Sequence, residues 1–283
     1  MEIRQVDAKQ GIQWLLSGFY IFRRAPLSWV LVCGALFLIF IFAVLIPFVG
    51  NLIFTLVYPA LLGGIMLGCR DLEEGKSFGI SHLFSGLENY LAALITVGGI
   101  YVTGLILVFG LAATIGGQQM TDMLFYGKRG NESEMMGVMS SMLTSFLILL
   151  TLSLPLTMAS FFAPMLVVFH KFPPIIAMQH SLFACLRNII PFSVYFIVLT
   201  LAIVLAALPY GAGLIILIPT IYASMYVCYK DIFLGEPIQF KDNTFPFSTH
   251  WNNAQELPQE KENSEKNLNS DPTGNENSES NKK

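Results

Sequence analysis

Apolar and polar positions alternate along this chain in whole segments rather than residue by residue. Long apolar runs occupy 27–47, 49–69, 91–115, 139–169, 191–209 and 211–229. From Leu27 to Cys69, 43 consecutive residues include no Asp, Glu, Lys or Arg. About 20 apolar residues span a bilayer as a helix, so this stretch alone holds two spans, and the full pattern predicts six. "PFVGN" joins the first two runs and "PYGAG" the last two; Pro and Gly in so short a link end one helix and reverse the chain. The fourth run exceeds what a bilayer requires and contains Pro155 and Pro164, which predicts a tilt, a kink or an extension past the membrane.

Three shorter stretches have one apolar face and a charged end. They are "GIQWLLSGFYIFRRAP" (11–26), the segment 81–91 around "LFSGLEN", and 175–187 within "IIAMQHSLFACLR". At helical spacing, Ile12, Leu15, Leu16, Phe19 and Phe22 share a face in the first. Leu83, Phe84, Leu87 and Leu91 do so in the second, and Ile175, Ile176, Leu182, Phe183 and Leu186 in the third. Such helices lie in the membrane interface. Trp14, Tyr20, Tyr90 and Arg23 are placed for headgroup depth, where aromatic and basic side chains settle.

Composition fixes the solvent. The chain is 54% hydrophobic and 12% charged, with a mean hydropathy of +0.61; a soluble domain carries about 25% charged residues. The fold class is all-α and polytopic. Cytoplasmic loops are enriched in Lys and Arg. An inside N-terminus places Arg4, Lys9, Arg23, Arg24, Arg70, Lys76, Lys171, Arg187, Lys230 and Lys241 on the cytoplasmic side, against Lys128 and Arg129 outside. That bias predicts an inner-membrane protein with both termini cytoplasmic. The first run is too long and too far from the start for a cleaved signal peptide, so it is expected to be retained. Residues 236–283, rich in Asn, Glu, Ser and Lys, cannot offset their ordering entropy by burial and are expected to form a disordered cytoplasmic tail. The net charge of −3 mostly reflects that tail.

Two internal correspondences organise the runs. "LFSGLEN" (83–89) and "LFACLRN" (182–188) share a skeleton. At an offset of 160, "YPALLGGIMLGCRDLEEG" (58–75) aligns with "IPTIYASMYVCYKDIFLG" (218–235). Pro59 meets Pro219, Gly63-Gly64 meets Ala223-Ser224, and Arg70-Asp71 meets Lys230-Asp231. A proline kinks a span, and small residues beyond it let another helix approach closely. The expectation is three units, each an interfacial helix followed by a helical hairpin, at about 11–75, 81–169 and 175–235.

"GIQWLLSGFYIFRRAP", "FFAPMLVVFHKFPPIIAMQHSLFACLRNIIPF" (161–192) and "YASMYVCYKDIF" (222–233) resemble a family of proteobacterial inner-membrane proteins described only as conserved hypothetical transmembrane proteins. The resemblance covers residues 5–235. It implies a polytopic helical membrane protein and brings no agreed activity, substrate or catalytic residue. More distantly, the pattern is similar to membrane domains attached to glycerophosphodiester phosphodiesterases.

Candidate chemistry is sparse. No ionisable side chain falls in the middle of a run, which argues against an ion-coupled pump, since proton relays and charge-coupled sites need one. Arg23, Arg24, Arg70, Asp71, Arg187, Lys230 and Asp231 gather at the expected cytoplasmic rim with His82, His170 and His180. Three readings stand in order: solvated interface charges, contacts to lipid headgroups or partners, and a metal site, which lacks helical His spacing. Pro59, Gly63, Gly64, Pro155, Pro164, Pro219, Ala223 and Ser224 are expected to kink and pack helices. Cys33, Cys69, Cys185 and Cys228 read as small hydrophobes, with a redox thiol as the alternative. Thr55, Thr96, Thr103, Thr151, Ser153, Thr157 and Ser160 are expected to serve packing, bonding the carbonyl a turn earlier or reaching across helices. No catalytic residue, metal, cofactor or nucleic-acid partner is expected; membrane lipids are the expected partners, with other membrane proteins second. The function expected is a non-enzymatic lipid- or protein-organising membrane component. The alternatives are a small-molecule or lipid transporter and, third, an enzyme acting at the membrane surface through the rim charges.

Overall fold

A computed structural model describes residues 3–47, 49–126 and 132–236, with the backbone alone for 115–126, 132–135 and 138. The expectations for Lys128, Arg129 and the tail beyond Glu236 fall outside the described residues. Among those described, regular structure is entirely helical. In chain order α1 is Gln10–Arg24, α2 Pro26–Val44, α3 Val49–Glu73, α4 Ser81–Tyr126 and α5 Glu132–Phe161. There follow α6 Ala163–His170, α7 Pro174–Arg187, α8 Ile189–Ala207, α9 Leu214–Tyr229 and a π-helical turn, Lys230–Leu234. Six stretches are long and apolar enough to cross a membrane: Pro26–Val44, Val49–Glu73, Ser81–Thr114, Met139–His170, Ile189–Ala207 and Leu214–Leu234. The protein is an all-α polytopic membrane protein.

Each short amphipathic helix ends on one residue with non-helical dihedrals. Ala25 (φ −145°, ψ 61°) separates α1 from α2, and Asn188 (φ −114°, ψ 34°) separates α7 from α8. Tyr90 (φ −131°, ψ 15°) bends α4, so that 81–89 forms a separate limb before the third span. The fourth run breaks at Phe162, and Pro164 sits in the first turn of α6, where a proline's missing N–H costs nothing. Pro155 lies inside α5 with its surface exposed. α6 stops at Lys171, whose left-handed backbone (φ 55°) lets its N–H return to the Val167 carbonyl, before Pro173 and Pro174. α3 runs a turn past its apolar stretch and ends ahead of Gly75 (φ +80°).

The three amphipathic helices turn the opposite way from a soluble helix. In α1, Ile12, Leu16 and Phe19 are exposed, while Gly11, Trp14, Ser17 and Gly18 are buried. In α7, Ile175, Ile176, Phe183 and Leu186 are exposed, while Ala177, Ser181, Ala184 and Cys185 are buried. Phe84 is exposed on the α4 limb, where Leu83 and Gly86 are buried. Small residues thus pack inward together with Trp14, Ile21, Phe22, Leu83 and Met178, and the other large apolar side chains named here are left for hydrocarbon. Trp14 departs from the expected headgroup position: it is 1% exposed, wedged beside Phe192 and Tyr195 at ring distances of 5.1 and 6.1 Å.

Small and hydroxylated positions on the spans differ in what they meet. Gly98 presses on the Leu56 backbone and Gly104 on the Leu156 side chain, whereas Gly110 faces open space. Thr55, Thr96, Ser153 and Thr157 return hydrogen bonds of 2.7–3.3 Å to their own helices. Burial pushes the Cys185 thiol up to about 12, leaving it protonated and inert at neutral pH.

Candidate functional site

Two helix contacts position the charged end of the molecule. Gly86 on the α4 limb seats over the Ala60 carbonyl and the Gly64 N–H of α3; an added Cβ would fall 2.9 Å from that nitrogen and still closer to the oxygen. Gly18 on α1 seats over the Thr220 carbonyl and the Ser224 N–H of α9, each 2.7 Å from an added Cβ. Ala60/Gly64 and Thr220/Ser224 are separated by the same 160 residues as Pro59 and Pro219. One turn before each seated glycine, an aromatic ring N–H meets an aspartate. Trp14 Nε1 donates to Asp231 Oδ2 at 2.8 Å, and His82 Nε2 lies 3.2 Å from Asp71 Oδ2.

The α7 contact has the same spacing but uses side chains. Cys185 stands where the two glycines stand, with its Sγ 3.7 Å from the Met158 carbonyl. One turn earlier, Ser181 Oγ donates to that carbonyl at 2.6 Å and accepts the Phe162 N–H at 2.9 Å. Ser181 thereby occupies the buried donor and acceptor left where α5 breaks into α6.

Beside these contacts lies a buried charge network. Lys230 Nζ donates to Glu73 Oε1 at 2.6 Å, and Tyr226 donates to Glu73 Oε2 at 2.8 Å. Asp231 is 1% exposed; beyond its bond from Trp14, its second oxygen has the Arg4 guanidinium 3.9 Å away, near enough for charge but not for a hydrogen bond. Tyr229 Oη and His170 Nε2 are 2.8 Å apart, and Arg70 lies 5.5 Å over the Phe169 ring. Lys230 and Asp231 are therefore turned inward rather than presented to lipid or a partner. Arg23, Arg70 and Arg187 remain exposed, Arg24 is half-buried over Tyr20, and Asp71 is half-buried between His82 and Lys76.

An apolar cavity of about 680 Å³ opens between α2, α3 and α9. Its wall runs from Val30 to Phe40 on α2 and from Leu214 to Met225 on α9. Tyr58 and Tyr222, whose hydroxyls are 3.5 Å apart, supply its few polar atoms together with Cys33.

A protein described as "Probable inner membrane protein" from Burkholderia thailandensis is 30% identical over 258 residues, covering 82% of this chain and 94% of the relative. The chain belongs to that family. Residues 5–235 make up about the same share of the chain as the match. No family model matches, and no solved structure does. The family brings inner-membrane residence and no activity, so what the site does must be argued from its contacts.

The N-terminal segment is held by a residue to which sequence reading gave no role. Asn188, fully buried, accepts the Val6 N–H at 2.9 Å and donates to the Arg4 and Ala184 carbonyls at 2.9 and 3.0 Å. The Arg4 N–H meanwhile donates to the Ile232 carbonyl at 3.0 Å. One side chain thus ties the N-terminal segment to the α7–α8 junction while the backbone ties it to the end of α9. Replacing Asn188→Ala strands buried polar groups and is expected to cost about 1–3 kcal/mol. The change should appear as faster amide exchange at residues 4–6 and earlier proteolysis near the N-terminus.

Proposed function

We propose that this protein is a non-enzymatic inner-membrane component that organises lipid at the cytoplasmic surface, built from three related units with both termini inside. The observation that carries this is the outward-facing set of large apolar side chains on α1, the α4 limb and α7. With their small-residue faces seated on the spans, these helices offer that apolar surface at the same end as Arg23, Arg70 and Arg187. Juxtamembrane cations attract anionic lipid by about 1 kcal/mol each. The buried charges fit the reading too, because Lys230 and Tyr226 engage Glu73 and Trp14 engages Asp231, contacts that hold helix ends together.

The recurrent seat of Gly18, Gly86 and Cys185 supports a threefold internal relation in which each amphipathic helix docks on the second span of the hairpin before it in cyclic order. For α1 that hairpin is the last. Native mass spectrometry of the protein released from mixed phosphatidylglycerol and phosphatidylethanolamine membranes tests the lipid reading. Phosphatidylglycerol should be retained in excess of its bulk fraction, and the excess should shrink several-fold when Arg23, Arg70 and Arg187 are changed together to Gln. Retention in bulk proportion overturns the reading. Reporter fusions at both ends should give cytoplasmic signals; opposite signals overturn the topology.

A second reading, a carrier for small molecules or lipids, is favoured by Pro59 and Pro219 inside their helices and by the break at Phe162, since broken spans build transport sites. Solute or lipid flux in proteoliposomes would support it, and its absence across broad panels would leave the organising role.

A further inference from the structure

We infer that the cavity between α2, α3 and α9 is a binding site for an acyl chain of an anionic phospholipid, with the lipid phosphate held at Arg23 and Arg24. The inference rests on the lipid-organising reading and gives it a specific site.

The shape selects a chain. The α2 wall from Val30 to Phe40 is about 15 Å long at the helical rise. A volume of 680 Å³ spread over that length leaves a mean cross-section of about 45 Å². Flexible hydrocarbon can follow such a space wherever it narrows, whereas an α-helix with side chains keeps a fixed diameter of about 10 Å. The walls are consistent with hydrocarbon: Leu36, Phe37, Phe40, Ile218 and Met225 line the space, and Phe37, Phe40 and Ile218 are exposed at its opening. The opening therefore faces the membrane sideways, which is how an acyl chain would enter.

Charge selects the head. Arg23 and Arg24 end α1, immediately before the turn into α2. Val30, the α2 wall residue nearest that turn, lies four residues beyond Pro26, where α2 begins, about 6 Å at the helical rise. The headgroup layer is about 5–8 Å thick on each side of the hydrocarbon. A phosphate at the two arginines would thus place the first methylenes at Val30. A zwitterionic lipid carries its own cation and gains less from the pair.

Gly34 offers a clean test. It lines the cavity, and a Cβ added there meets nothing within 4 Å, so Gly34→Trp fills the space without pressing on the packed core. The full-length protein is reconstituted with phosphatidylglycerol carrying a diazirine on one acyl chain, illuminated, and its labelled peptides are mapped. Label is expected to concentrate on 30–40 and 214–225, to fall at least five-fold in Gly34→Trp, and to fall similarly in the Arg23→Gln/Arg24→Gln pair. Gly34→Leu, a smaller filling, should give an intermediate loss and guards against a Trp variant that fails to fold. Label spread evenly over the exposed faces of α5 and α8, or unchanged by filling the cavity, overturns the inference. Equal labelling by a phosphatidylethanolamine analogue overturns the anionic head. If phosphatidylglycerol is still enriched overall while the cavity variants label normally, the organising role stands and only this site fails.

Discussion

Gly18→Leu and Gly86→Leu should each abolish accumulation of the folded protein in the membrane. At both positions the nearest atoms to a new Cβ are backbone carbonyls and N–H groups of the facing helix. Backbone in the middle of a helix cannot swing aside as a side-chain tip can, so the two helices must separate. Overpacking a well-fitted contact costs about 1–3 kcal/mol when side chains can adjust; here the cost should reach or exceed about 3 kcal/mol. In a lipid environment the loss is felt fully, because close approach of small residues is itself a principal source of helix association. Steady-state levels and resistance to SDS-induced unfolding measure the effect. Gly34→Leu, facing open space, is the matched control and should remain near wild type. Gly18→Leu at wild-type abundance and stability would show that α1 is not seated on α9 as described.

The second large effect belongs to the Glu73–Lys230 pair. Both side chains are about nine-tenths buried, and Tyr226 also donates to the carboxylate. Removing one member leaves the other's charge stranded, which typically costs about 3–5 kcal/mol, whereas removing both together is often nearly neutral. Lys230→Met and Glu73→Gln should therefore each destabilise strongly, and the double variant should regain most of the loss. A double variant as unstable as the sum of the singles would mean that the two groups do not act as a pair. An unfolding titration in mixed micelles provides all four corners of the cycle.

The spans were legible because hydrocarbon imposes a coarse rule: a helix must run for about 20 residues without charge. The second and third expected boundaries differ from the observed helices for a local reason. Helices persist into the headgroup region until a residue such as Gly75 takes a left-handed backbone, so α3 outlasts its apolar stretch. Pro59, Gly63 and Gly64, and Pro219, Ala223 and Ser224, carry the pattern of a proline followed by small residues that signals a close approach, and all six are buried. What approached them was not readable. Trp14 looks like an interfacial aromatic until Asp231, 217 residues away, is seen to accept its N–H. Lys230 and Asp231 looked like rim charges because sequence shows that a helix is ending, not which neighbours cover the end. Asn188 was part of the motif shared by two segments, yet its partners at residues 4 and 6 belong to a stretch with no pattern of its own.

The bond from Trp14 to Asp231 also has a consequence for how the molecule is made. A ribosome adding about 5–20 residues per second needs roughly 10 to 45 s to synthesise the intervening chain. Throughout that interval the indole of the first helix has no carboxylate to meet, and its glycine face has no α9 to rest on. A nascent polypeptide halted before α9 therefore carries its earliest helix undocked, a distinguishing mark by which a membrane protease could tell an unfinished product from a completed one.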